Sequence, residues 1–117
     1  MSEVTIYHNP RCSKSRQTLA LLEEHGITPV VINYLEQPPS VSDLHDLLTA
    51  LSMDVHEVLR TKEAPYRELN LAAATDAEIV QAITTHPILL ERPIVVRGER
   101  AVIGRPPENV LDLLCSK

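Results

Sequence analysis

Val4-Thr5-Ile6-Tyr7-His8-Asn9-Pro10-Arg11-Cys12-Ser13-Lys14-Ser15 is the stretch whose reading decides the fold. Val4 to Tyr7 is a short strand-like run, Asn9-Pro10 is turn chemistry, and from Ser13 to about His25 the pattern predicts a helix that Gly26 ends in the C′ position. Cys12 therefore stands at a helix N-terminus. There the unpaired backbone N–H groups and the positive end of the helix dipole favour thiolate over thiol. At an ordinary pKa of about 8.5 only roughly 3% of a cysteine is ionised at pH 7, whereas a shift to about 6.5 makes it about three-quarters thiolate. Cys12 is a candidate nucleophile on position alone. His8, four residues earlier, is expected to lower the thiol pKa further as an imidazolium. Ser15 completes a Cys-x-x-Ser arrangement whose hydroxyl is expected to donate to the thiolate and which offers no nearby resolving thiol. An external reductant follows.

Working outward, Pro29 to Tyr34 reads as a second strand, which makes a βαβ unit. Gln37-Pro38-Pro39 interrupts it. Ser40 with Asp43 then forms a capping box for a helix whose Leu44, Leu47, Leu48 and Leu51 make one apolar stripe. A short helix is expected over Val55 to Arg60, and Thr75 with Glu78 caps another that carries Ile79, Ala82 and Ile83 inward until His86-Pro87 stops it. Residues 40–86 are thus a helical insertion. The chain of 117 residues is long enough for one domain, 1–117, and with no Phe or Trp and three Tyr its core must be aliphatic. A net charge of −5 without a basic block argues against nucleic acid as a partner. Met1-Ser2-Glu3 runs straight into the first strand and no apolar run reaches the length of a membrane span, so the expectation is a cytoplasmic monomer away from the membrane. Two cysteines are too few for a disulfide framework and lack zinc spacing, so no metal is expected; Cys115 reads as an inert small side chain.

The last third carries the most useful geometry. Pro93 to Val96 and Ala101 to Ile103 are apolar strands around Arg97-Gly98-Glu99-Arg100, a hairpin if Gly98-Glu99 is its two-residue turn with Gly first. Partners then sum to 197, so Pro93 faces Gly104 and Arg92 faces Arg105. Like charges directly opposite on a hairpin repel, so a sequence that places two arginines there either lets them diverge into solvent or holds an anion between them. Pro106-Pro107 starts a final helix with Val110, Leu113 and Leu114 as its buried stripe.

The order β, α, β, helical insertion, β-hairpin, α, with Pro93 opening the third strand, is that of a thioredoxin-like domain. The chain resembles the ArsC-type arsenate reductases with a glutaredoxin-like fold over nearly all its length. The resemblance is carried by Ile6-Tyr7-His8-Asn9-Pro10 before Cys12, Tyr34-Leu35-Glu36, Leu59-Arg60, Pro65-Tyr66, His86-Pro87-Ile88-Leu89, Arg92-Pro93-Ile94-Val95-Val96 and Gly104-Arg105-Pro106. It implies an α/β, thioredoxin/glutaredoxin-like mixed sheet with the helical insertion between the second strand and the C-terminal hairpin, and a cis Arg92-Pro93 bond. It also implies that Cys12 is the nucleophile and that Arg60, Arg92 and Arg105 bind the oxyanion.

The implied reaction reduces arsenate to arsenite through attack by the Cys12 thiolate. Glutathione acts as co-substrate, glutaredoxin clears the mixed disulfide, and no cofactor is bound. The residues suit it, because a thiolate attacks an oxyanion only where fixed donors offset both negative charges, and the arginine fork matches two oxygens at once. Around the cysteine, Arg11-Cys12-Ser13-Lys14-Ser15-Arg16 is more basic than the small neutral residues of the best-known arsenate reductases. The phosphatase-like class of arsenate reductase is excluded, since it needs an arginine six residues after the cysteine, where this chain has Thr18. Two other functions compete. A monothiol glutaredoxin-like thiol transferase has no use for three arginines, and a non-enzymatic Spx-like transcriptional regulator usually carries Cys-x-x-Cys, where this chain has Ser15.

Overall fold

Alternating burial along Val4–His8 (β1) turns Val4, Ile6 and His8 to one face, and the helical period along Ser13–Glu24 (α1) turns Ser15, Thr18 and Leu22 to one stripe. The two sets meet, with Ile6 and Leu22 fully buried. In the computed structural model, which describes residues 3–114, β1 pairs in parallel with Val30–Asn33 (β2), so the βαβ unit is present. Gly26, at φ 78°, takes the left-handed conformation that ends α1.

The chain divides into two compact units, one of residues 1–37 with 92–117 and the other of 38–91. The first holds a mixed sheet in the order β2-β1-β3-β4, in which Ile94–Arg97 (β3) runs antiparallel to β1 and pairs with Arg100–Ile103 (β4). The hairpin register is Ile94 with Ile103 through Arg97 with Arg100, the pairing the sequence predicts. Gly98 at φ 62° permits its two-residue turn. Beyond the ladder, the Gly104 N–H donates to the Pro93 carbonyl at 2.9 Å, which continues the same register one residue further. Both Arg92-Pro93 and Arg105-Pro106 are cis; the second was not an expectation of the sequence. After a 3₁₀ turn at Pro107–Val110, the helix Leu111–Leu114 completes a core of Val4, Ile6, Leu22, Val95, Val110 and Leu113. Cys115 lies outside the described residues.

The second unit is helical. Its elements are Val41–Leu51 (α2), Ala64–Glu68 (α3) and Asp76–Thr85 (α4), with 3₁₀ turns at Val55–Val58, Leu71–Ala73 and Pro87–Leu89. Both expected capping boxes form, Ser40 with Asp43 and Thr75 with Glu78. The short helix expected over Val55 to Arg60 is a 3₁₀ turn that stops at Val58, because Leu59 becomes extended and bridges Leu90. Arg60 is therefore on an extended segment, its N–H donating to the Leu89 carbonyl at 2.7 Å. Helix α3, which has Pro65 in its first turn, escaped the sequence reading, being too short for an apolar period to show. Among the described residues no helix is long and apolar enough to cross a membrane.

Candidate functional site

The turn from β1 into α1 is built by its own polar groups. Pro10 sits second in a turn closed by the Cys12 N–H on the Asn9 carbonyl at 3.0 Å, and Asn9 Oδ1 accepts from the Arg11 N–H at 3.0 Å. This delivers Cys12 as the residue preceding α1, with extended backbone and only 8% exposure. Burial alone would push its thiol pKa up. The backbone N–H groups of Ser15 and Lys14 and the Arg92 guanidinium outweigh burial, so the net shift is downward and the thiolate is favoured. From the other hairpin strand, Arg105 Nη2 approaches the sulfur at 3.4 Å.

The arginines expected to face each other do so. Arg105 Nε donates to the Arg92 carbonyl at 2.6 Å, which fixes one guanidinium edge and turns another toward Cys12. Arg92 Nε and Nη1 are both buried without a hydrogen-bond partner. Buried guanidinium donors are costly to leave unpaired, and two on one side chain match the paired oxygens of an oxyanion. Cys12, Arg92 and Arg105 thus converge in the first unit.

His8 and Ser15 depart from the expected roles. His8 is 7% exposed, and burial, followed by the positive charge of Arg16, lowers its pKa below 6.5. It is therefore neutral at pH 7 and supplies no imidazolium to Cys12. The Ser15 hydroxyl lies 2.6 Å from His8 Nδ1 and accepts from the Asn9 N–H at 3.0 Å, so it is committed to the turn. Ser15 reaches the sulfur through its backbone N–H instead. The shared face of β1 and the inward stripe of α1 explain the pairing, since both residues are drawn to the same buried seam.

Arg60 belongs to the second unit. There its Nε meets Glu63 at 3.2 Å and its Nη1 meets Glu91 at 2.9 Å, all three side chains being partly buried. Glu91 thus accepts from Arg60 across 31 positions of sequence.

Sequence reasoning missed how Thr18 and Asn109 hold the Arg105 strand end and why Gly104 is glycine. The fully buried Thr18 places Oγ1 2.8 Å from the Lys14 carbonyl and 3.4 Å from that of Gly104. A Cβ on Gly104 would stand 2.7 Å from Thr18 Oγ1 and 3.0 Å from Pro93 Cγ, so only glycine fits without rearrangement. Asn109 Nδ2 donates to the carbonyls of Ile103 at 3.3 Å and Arg105 at 3.1 Å. The Gly104-Arg105-Pro106 block was a visible signal, but nothing in sequence tied Thr18 to a residue 86 positions away. Among the described residues, Asp54, His56 and Asp76 form one exposed group with ligand atoms within 4.8 Å of one another. Local structure accounts for them, since Asp54 caps the Val55–Val58 turn and His56 pairs with Asp76 at 3.2 Å.

Comparison with known proteins gives a consistent result. The ArsC family matches residues 7–113. An arsenate reductase of Haemophilus influenzae is 50% identical over 114 residues, covering 95% of this chain and 98% of that protein. The uncharacterised protein YfgD of Escherichia coli is 52% identical over 115 residues, covering 96% and 97%. The solved structure of an arsenate reductase from Vibrio cholerae aligns with a TM-score of 0.92 at 52% identity, covering 95% of this chain and 97% of that one.

Proposed function

This chain belongs to the ArsC family, and from that premise we propose that it is an arsenate reductase in which Cys12 is the nucleophile and Arg92 and Arg105 hold the oxyanion. The observation that carries the proposal is the pair of buried, unpartnered donors on Arg92 beside a thiol whose pKa is lowered. A tetrahedral oxyanion supplies the acceptors those donors lack, and brings its central atom to the sulfur.

In the proposed cycle the Cys12 thiolate attacks arsenic(V), one proton is taken up, and water leaves, forming a Cys12–S–AsO₃H⁻ adduct. Glutathione then attacks the adduct. The two sulfurs give up two electrons, arsenic leaves as dihydrogen arsenite, and Cys12 is left as a mixed disulfide with glutathione. A glutaredoxin thiol takes over the glutathionyl group and returns Cys12 as a thiol. Cys12 needs an outside thiol because Ser15 occupies the position where a resolving cysteine would stand. No bound cofactor enters this cycle. His8 and Ser15 act as positioning residues that brace the Asn9-Pro10 turn. Arg60, expected from the resemblance to bind the oxyanion, has its Nε and Nη1 engaged by the Glu63 and Glu91 carboxylates. The same reading places the protein, as a monomer, in the reducing cytoplasm with glutathione and glutaredoxin.

The test is arsenate-dependent NADPH oxidation with glutathione, glutaredoxin and glutathione reductase. Turnover that requires arsenate supports the proposal. Equal turnover of a small mixed disulfide without an oxyanion favours the thiol transferase, and recovery of RNA polymerase in place of any turnover favours the regulator.

A further inference from the structure

The positive charge around Cys12 exceeds what the site geometry uses. From Val4 to Leu22 the chain carries Arg11, Lys14 and Arg16 and no Asp or Glu, although it is acidic as a whole, with 16 acidic residues against 11 basic ones. Arg16 has a local task, since its Nη1 donates to the Pro10 carbonyl at 2.9 Å and its charge acts on His8. Arg11 and Lys14 have none. Both are exposed, and among the described residues neither side chain has a hydrogen bond or ion pair.

We propose that Arg11 and Lys14 form an anion-selecting rim over Cys12, which makes a small thiol bearing carboxylates the preferred reductant of the adduct. The adduct retains one negative charge, so a carboxylate-bearing thiol approaching from solvent meets an anion, and exposed cations beside the sulfur offset that repulsion. Arg11 is the neighbour of Cys12 and Lys14 is two residues on, so side chains of their length place their charges within a Debye length of roughly 10 Å from the sulfur. The groups that lower the Cys12 pKa against its burial are the Ser15 and Lys14 backbone N–H groups and Arg92. Exposed to solvent, the rim acts on a partner approaching the sulfur. At about 7 Å in a water-like dielectric each cation changes the encounter rate with an anion by roughly threefold, hence about five- to tenfold for the pair.

The preference for glutathione rests on the reading above; the rim itself is testable without it. Second-order alkylation of Cys12 is measured with iodoacetate and with iodoacetamide, at one pH and low salt, in the intact wild type and in Arg11→Gln/Lys14→Gln. The expected result is a loss of about five- to tenfold in the iodoacetate rate with the iodoacetamide rate held within about twofold, and loss of the wild-type preference as added salt screens the charges. Arsenate-dependent kcat/KM for glutathione should fall by a similar factor, while that for the neutral thiol 2-mercaptoethanol holds. Lys14→Glu should deepen the loss. An unchanged iodoacetate-to-iodoacetamide ratio overturns the rim, and a changed ratio with unchanged glutathione efficiency overturns its role in choosing the reductant. If the wild type consumes no glutathione with arsenate, the proposed function fails, while the alkylation ratio still decides the rim.

Discussion

Gly104→Ala is the sharpest probe of how the fold aims Arg105. The added Cβ would lie 2.7 Å from Thr18 Oγ1 and 3.0 Å from both Thr18 Cγ2 and Pro93 Cγ. Neither neighbour yields readily. Thr18 is fully buried and tied to the Lys14 carbonyl, and Pro93 is a ring closed on the backbone. Overpacking of this kind costs about 1 to 3 kcal/mol, and the reduced freedom of the unfolded chain returns about 0.4 to 1 kcal/mol. A net loss of about 1 to 2 kcal/mol, or a fall in Tm of roughly 4 to 8 °C, should be seen by circular dichroism during thermal unfolding. Thr18→Ala removes the two Thr18 atoms in the clash, at its own cost of about 1 to 2 kcal/mol for the lost hydroxyl contacts. Combined with Gly104→Ala it should therefore be more stable than the sum of the single changes by about 1 kcal/mol. Wild-type stability in Gly104→Ala, or strict additivity in the double variant, would refute the argument that close approach of α1 to this strand end requires glycine.

The remaining predictions concern the site. Cys12→Ser should retain the fold, by circular dichroism, and lose arsenate reduction in the coupled assay; turnover above about a tenth of wild type would exclude Cys12 as the nucleophile. Arg92→Ala should lower arsenate kcat/KM by roughly 30- to 150-fold, on the order of 2 to 3 kcal/mol for a charge-assisted contact in a partly desolvated site. Arg92→Lys should lose several-fold because the charge stays and the fork goes; equal losses with a neutral disulfide substrate would contradict oxyanion binding. Arg92→Ala should also raise the alkylation pKa of Cys12, whereas His8→Ala should not lower the thiolate fraction through loss of a charge, because His8 is neutral at pH 7. His8 shapes acid stability instead. Its folded pKa lies below 6.5, so the unfolded chain takes up the proton first as the solution is acidified. The stability His8 contributes is complete above 6.5 and is lost as pH falls through its folded pKa. The urea midpoint of His8→Phe should then fall less than that of wild type between about pH 7 and pH 5, and an identical fall in both proteins would count against the assignment.

Much of this protein was legible in its sequence because the signals concerned are local. The capping boxes at Ser40 and Thr75, the left-handed stop at Gly26 and the hairpin register all rest on residues a few positions apart, where spacing alone sets hydrogen bonds and faces. That register, continued past the ladder, puts Arg92 opposite Arg105 from sequence spacing alone. The position of Cys12 at a helix start likewise follows from Asn9-Pro10 and the helical period after Ser13. Only the tertiary structure decided the protonation of His8 and the partner of the Ser15 hydroxyl, because burial and a shared seam between β1 and α1 set them. The pairing of Arg60 with Glu91 across 31 positions and of Thr18 with Gly104 across 86 is of the same kind. Sequence determines which groups a segment can offer; which of them remain available to a substrate depends on what the chain packs beside them, and that is a long-range property.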